Sequence, residues 1–94
     1  MSLSSGNLSK AEQVSKKLIS ANPNVAFLYN LLGLIYLINK KYDLSIYHYR
    51  KVLEKNNQNE DALNNIYMCL SILGKYDESL IYINKLLEIS PNNL

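Results

Sequence analysis

Tryptophan is absent, cysteine and histidine occur once each, and the chain has only two prolines and three glycines among its 94 residues. Each scarcity excludes something. Cys69 alone cannot form an internal disulfide, and its lack of a partner is compatible with a reducing compartment, so a cytoplasmic location is expected. His48 alone cannot build a multi-histidine metal site. No zinc-ligand spacing is present, and no Gly-rich phosphate loop follows a strand. No catalytic residue, no metal and no cofactor are therefore expected, and the chain reads as no enzyme. The Ser-rich start, Met1 to Gly6, lacks the apolar stretch of a signal peptide. The longest apolar run, Val25 to Ile38, is interrupted by Asn30 and is too short for a membrane span. Ten basic and eight acidic residues leave a net charge of +2, too balanced to point to nucleic acid or to an acidic membrane surface. The pairs Lys16-Lys17 and Lys40-Lys41 read as ordinary solvated positions.

What the chain does contain is a repeat. Shifted by 34 residues, about ten of 34 positions are identical without a gap. Lys41-Tyr42-Asp43 falls on Lys75-Tyr76-Asp77, Ser45 on Ser79, Lys51 on Lys85 and Leu53-Glu54 on Leu87-Glu88. Asn30 meets Asn64, Ile38 meets Ile72 and Asn59 meets Asn93. Within each unit, two apolar-periodic stretches are separated by a polar break. Val25 to Ile38 is the first helix, and Tyr42 to Leu53 the second, with Leu44, Ile46, Tyr49, Val52 and Leu53 expected on its buried face. The next unit gives Ala62 to Leu73 and Tyr76 to Ile89. Gly74 stops one helix by taking a left-handed conformation, and Pro91 prevents continuation of the other. Residues 7 to 21 align with the second helix of a unit, Gly6-Asn7-Leu8 lying under Gly74-Lys75-Tyr76. The expected order is five helices: a lone second helix within residues 1–25, a full unit at 26–59 and another at 60–94.

The period and its residues resemble the tetratricopeptide repeat. The family's series of large, apolar, small and aromatic places is filled by Tyr29, Leu32, Gly33, Tyr36, Ser45, Tyr49, Val52 and Asn57. In the second unit Leu63, Ile66, Tyr67, Leu70, Ser79, Ile83, Leu86 and Pro91 fill the same places. The resemblance implies an all-α solenoid of antiparallel helix hairpins wound into a right-handed superhelix. Gly33 against Ser45 is the expected close contact between paired helices, and Tyr42 and Tyr76 can cover the turns. Three departures stand out. Tyr67 replaces the small residue, which should spread or shift the second hairpin. Asn57 replaces proline and softens the link between units. Val52 and Leu86 replace alanine.

The resemblance also implies a concave surface lined by the first helices, and hence a scaffold that binds a protein or peptide. The corresponding residues here are Phe27, Asn30, Leu34, Leu37 and Ile38, followed by Asp61, Asn64, Met68, Ser71 and Ile72. The first set is almost wholly apolar, so the helix is apolar nearly all round, a pattern that normally means cover on every side. Leu32, Ile35, Tyr29 and Tyr36 are read as core. Phe27, Leu34 and Ile38 are read either as core or as a binding surface. Of the residues with which some family members grip a C-terminal carboxylate, only Asn65 has a match. Asn30 and Leu34 stand where lysine and asparagine are needed. Cys69 is expected to behave as a small apolar residue. His48 is expected at the surface, because Tyr82 takes its place in the next unit. The acidic pairs Glu60-Asp61 and Asp77-Glu78 are explained by helix starts. The front helix, a second helix without its partner, leaves Val14 and Leu18 in need of cover. At the other end Leu80, Ile83 and Leu87 lack a capping helix, which reads as a piece of a longer array able to form a homo-oligomer. A structural or self-assembling module is thus the alternative to a peptide-binding adaptor.

Overall fold

The computed structural model describes residues 5–91. The extreme Ser-rich start, the final Asn-Asn-Leu and the Asn59–Asn93 correspondence lie outside the described residues. Those residues form five α-helices and no strand. They are α1 (Ser5–Ala21), α2 (Ala26–Ile38), α3 (Tyr42–Lys55), α4 (Glu60–Ile72) and α5 (Tyr76–Ile89). Each helix packs chiefly on its neighbours in sequence, so the chain is a linear stack of antiparallel hairpins, with overall dimensions of 37 × 26 × 23 Å.

The helix ends follow local chemistry. Asn59 caps α4 by accepting a 2.9 Å bond from the Ala62 amide. Acidic residues sit in the first turns of α3, α4 and α5 (Asp43, Glu60-Asp61 and Asp77-Glu78), where the helix dipole favours them. The stops of α2 and α4 are the same device one repeat apart. The Lys41 amide reaches back to the Tyr36 carbonyl and Lys40 to Leu37, while Lys75 reaches Leu70 and Gly74 reaches Ser71. Both are Schellman motifs, and both need a left-handed residue at the turn. Gly74 takes φ +78° with no Cβ to obstruct it. Lys40 takes φ +61° with a full side chain, so the stop of α2 is built on a strained residue that the sequence pattern did not reveal.

Two hydrophobic clusters hold the stack. Leu8 from α1 joins Leu32, Ile35 and Tyr36 of α2. Ile46, Tyr49 and Val52 of α3 join Ala62, Ile66, Cys69 and Leu70 of α4. Cys69 is fully buried and its thiol is pushed up by that burial, as expected of an inert core residue. Leu32, Ile35 and Tyr36 are core as expected, whereas Tyr29 is only half-buried.

Gly33 is where α2 and α3 approach most tightly. A Cβ there would lie 2.8 Å from the Tyr49 ring, and the buried Ser45 hydroxyl donates to the Gly33 carbonyl at 2.8 Å. One repeat later Tyr67 fills the glycine position, and the cross-helix bond is replaced. The Ser79 hydroxyl donates to Tyr76 of its own helix, also at 2.8 Å.

Three expectations need correction. Leu44 is exposed rather than part of the buried face of α3, because at about 3.6 residues per turn it lies on the far side of the helix from Ile46 and Tyr49. His48 is half-buried among tyrosine rings rather than at the surface. Tyr42 packs on the α3–α4 cluster, but Tyr76 is exposed, because no further helix lies against α5 among the described residues.

Candidate functional site

Helical geometry places residues seven and eleven apart on nearly the same line. On α2 that line is Phe27, Leu34 and Ile38, which are 68%, 42% and 48% exposed. On α4 the same register gives Asp61, Met68 and Ile72, all exposed. Both helices pack on α3, and the repeat carries one line onto the other. The five apolar side chains therefore form an exposed surface on the first helices of successive hairpins. Val25, just before α2, is also exposed.

The remaining expected site residues are placed as follows. Asn30 is half-buried beside the α2 line, and Asn64 is exposed, its amide lying 3.7 Å from the Met68 sulfur. Leu37 is half-buried and packs against the α3–α4 cluster, so much of its side chain faces inward. Ser71 is half-buried next to Ile72. Asn65 is half-buried and hydrogen-bonds through its side chain to Tyr49. That bond gives Asn65 a structural task between α4 and α3. Burial raises the Tyr49 hydroxyl to about 12, with the Asn65 bond opposing the rise.

The surface is chemically plain. Its one carboxylate, Asp61, lies in the first turn of α4. Among the described residues no group of histidine, cysteine, aspartate and glutamate is placed to hold a metal ion. No helix among the described residues is long and apolar enough to cross a membrane. The arrangement offers apolar contact area and amide groups, which suits non-covalent recognition of another apolar surface.

Sequence reasoning missed a second feature, the ring cluster around His48. Tyr47, Tyr36 and Tyr29 lie 5.0, 5.2 and 6.4 Å from its imidazole, centroid to centroid. The signal was present as an aromatic excess in α2 and α3, but which rings meet depends on the packing of two helices.

Comparison with known proteins agrees with the helical-repeat fold. The tetratricopeptide repeat profile matches residues 28–59 and 60–93. A TPR repeat-containing protein of Methanocaldococcus jannaschii is 42% identical over 59 residues, which is 63% of this chain and 10% of that protein. Two solved structures of MamA share the fold with a TM-score of 0.81 each. The one from AMB-1 is 27% identical and is matched over 87% of this chain and 45% of its own. The one from MSR-1 is 28% identical, over 93% of this chain and 50% of its own. The chain thus spans a tenth of the curated relative and about half of each MamA chain.

Proposed function

The chain belongs to the tetratricopeptide-repeat family, and from that premise we propose that it is a non-catalytic scaffold whose first helices grip an apolar peptide or helix. The observation that carries this reading is the line Phe27, Leu34 and Ile38, continued by Met68 and Ile72. Scattered apolar side chains are normal on any surface, but five exposed at repeated register on the first helices of successive hairpins supply apolar area of the kind that marks an interaction site. Amphipathic helices recognise such grooves through anchors spaced three, four and seven residues apart. Asn30 and Asn64 flank the patch and can hold a partner's backbone, Asn65 lies beside Ile72 on α4, and Leu37 packs inward beneath the α2 line. In this reading the units are residues 26–59 and 60–94, preceded by the second helix of an earlier unit within 1–25. Cytoplasmic location belongs to the same proposal.

Panning a displayed peptide library on the purified chain tests the reading. Enriched peptides should carry apolar residues at helical spacing. They should lose binding to a Leu34→Lys/Ile38→Lys double variant that unfolds at the same temperature as the parent chain. Peptides that bind the double variant equally well would refute the groove.

One comparison favours a second reading, assembly through α5. Equivalent positions of α3 and α5 differ sharply in cover: Ile46 is 5% exposed and Leu80 is 55% exposed. Tyr42 is half-buried while Tyr76 is exposed, and Leu53 is half-buried while Leu87 is exposed. On α3 these residues meet α4. The same surface on α5 is shaped to receive another helix, from a further repeat or from a second copy.

A further inference from the structure

We propose that the cleft between α1 and α3, on the far side of α2 from the apolar line, is a second recognition site, for an acidic peptide that carries a large apolar side chain between its carboxylates. The cleft is open to solvent and offers about 470 Å³, enough for one such side chain and its neighbours. Ile19 and Leu32 line its apolar part, and the rings of Tyr29, Tyr47 and His48 form its walls. Lys16 from α1 and Lys51 from α3 also line it.

The polar groups are set for an anion. The His48 Nδ1–H donates to the Leu44 carbonyl at 2.8 Å, which leaves Nε2 as the acceptor in the neutral ring and a donor once protonated. The Lys16 ammonium pairs with Glu12 at 2.9 Å, and Lys51 lies 3.7 Å from Glu54 and 5.4 Å from the centre of the Tyr47 ring. Both ion pairs stay within their own helix, and each ammonium keeps spare donors. Glu12 also accepts the Tyr36 hydroxyl at 3.0 Å, so its charge is satisfied from within the protein. The groups that face the imidazole are Glu12 and Lys16 of α1, Tyr29 and Tyr36 of α2, and Tyr47 and Lys51 of its own helix. Burial lowers the affinity of His48 for its proton, and the two lysines add to that effect against the Leu44 bond and Glu12.

The next groove along the stack is an internal control. There Arg50 takes the place of Lys16, Ile81 that of Tyr47 and Tyr82 that of His48. Arg50 crosses the groove, donating through Nε to the Tyr82 hydroxyl at 3.2 Å and approaching Glu78 at 3.7 Å. The protein bridges that groove itself. In the first groove Lys51 turns back to Glu54 of its own helix, while Lys16 pairs with Glu12 and lies against the Tyr36 hydroxyl of α2, and the bridge between α1 and α3 is left for a ligand. A carboxylate between Lys16 and Lys51 supplies it with charge-assisted bonds. An apolar side chain beside it fills the ring-lined space, which a free phosphate cannot do.

NMR of the whole chain tests this, with an end-blocked tripeptide of aspartate, phenylalanine and aspartate as probe. The neutral tripeptide of asparagine, phenylalanine and asparagine and inorganic phosphate serve as controls. The acidic peptide should shift the His48 ring signals and raise the midpoint of the His48 titration, because a bound anion favours imidazolium. It should bind at least several-fold more tightly than either control. The Lys16→Gln/Lys51→Gln variant should lose most of that affinity while its thermal unfolding is unchanged, and Phe27 and Leu34 should not respond. The proposal is overturned if His48 is unmoved at several millimolar peptide, if the neutral peptide or phosphate binds as well, or if the double variant responds like the parent.

Discussion

Single residues decide where this chain is tight and where it is strained. Lys40 holds the left-handed turn that Gly74 holds without penalty one repeat later. Left-handed backbone costs a residue with a Cβ about 1–2 kcal/mol, so Lys40→Gly should stabilise the chain by about 1 kcal/mol in urea unfolding, less the extra unfolded-state freedom that glycine brings. Gly33 is the opposite case. Gly33→Ala pushes a methyl against the buried Tyr49 ring and should cost about 1–3 kcal/mol. Tyr49 also sets an alkaline limit. Its folded pKa of about 12 lies above the ordinary 10.0, so the folded state holds that proton more tightly than the unfolded chain. The contribution is fully present below about pH 10 and is lost as pH rises toward about 12. Unfolding free energy measured across that interval should fall by about 2–3 kcal/mol on this account, with tyrosinate absorbance at Tyr49 appearing only as the fold opens. A flat stability through the interval would remove Tyr49 from the core.

At the scale of helices, the paired serines show what the repeat keeps and what it gives up. Ser45 ties α3 to α2 through the Gly33 carbonyl, while Ser79 bonds within α5. Ser45→Ala should therefore cost about 1 kcal/mol and loosen the first hairpin, seen as faster hydrogen exchange at the α2–α3 contact. Ser79→Ala should leave the exchange of α4 unchanged. Equal effects on both hairpins would deny the cross-helix role of Ser45. The five helices were legible in the sequence because each first or second helix repeats its apolar positions 34 residues on. The second helix of the last unit, Tyr76 to Ile89, was read to its true ends because Gly74 and Pro91 flank it. The stop at Lys40 was not legible, since lysine gives no sign of left-handed backbone. Leu44 was misjudged because three- and four-residue spacings alone do not fix a face: it lies nearly opposite Ile46 and Tyr49 around the helix. Tyr76 was misjudged because cover depends on the next helix, not on the residue. The exposed line on α2 was visible as apolar excess on a helix, yet its exposure depended on which side α1 and α3 left open.

Across the whole molecule, the covered α3 and the uncovered α5 are the same surface in two situations. Ile46→Ala removes a buried contact and should cost about 2–5 kcal/mol. Its counterpart Leu80→Ala should cost little and instead weaken association. Sedimentation should show the parent chain associating with rising concentration and a Leu80→Glu/Leu87→Glu variant remaining monomeric. A parent chain that stays monomeric at high micromolar concentration would set the assembly reading aside while leaving the groove in place. The stack thus presents three distinct outer regions: the apolar line on α2 and α4, the ring-lined cleft between α1 and α3, and the bare side of α5. In the proposed reading the first carries the scaffold role.

The most direct test of that role is to map the contact surface of a bound amphipathic helical peptide by side-chain methyl and ring NMR. Perturbations concentrated on Phe27, Leu34, Ile38, Met68 and Ile72 are the predicted result. Perturbations that spare those five and fall on α3 or α5 would contradict it.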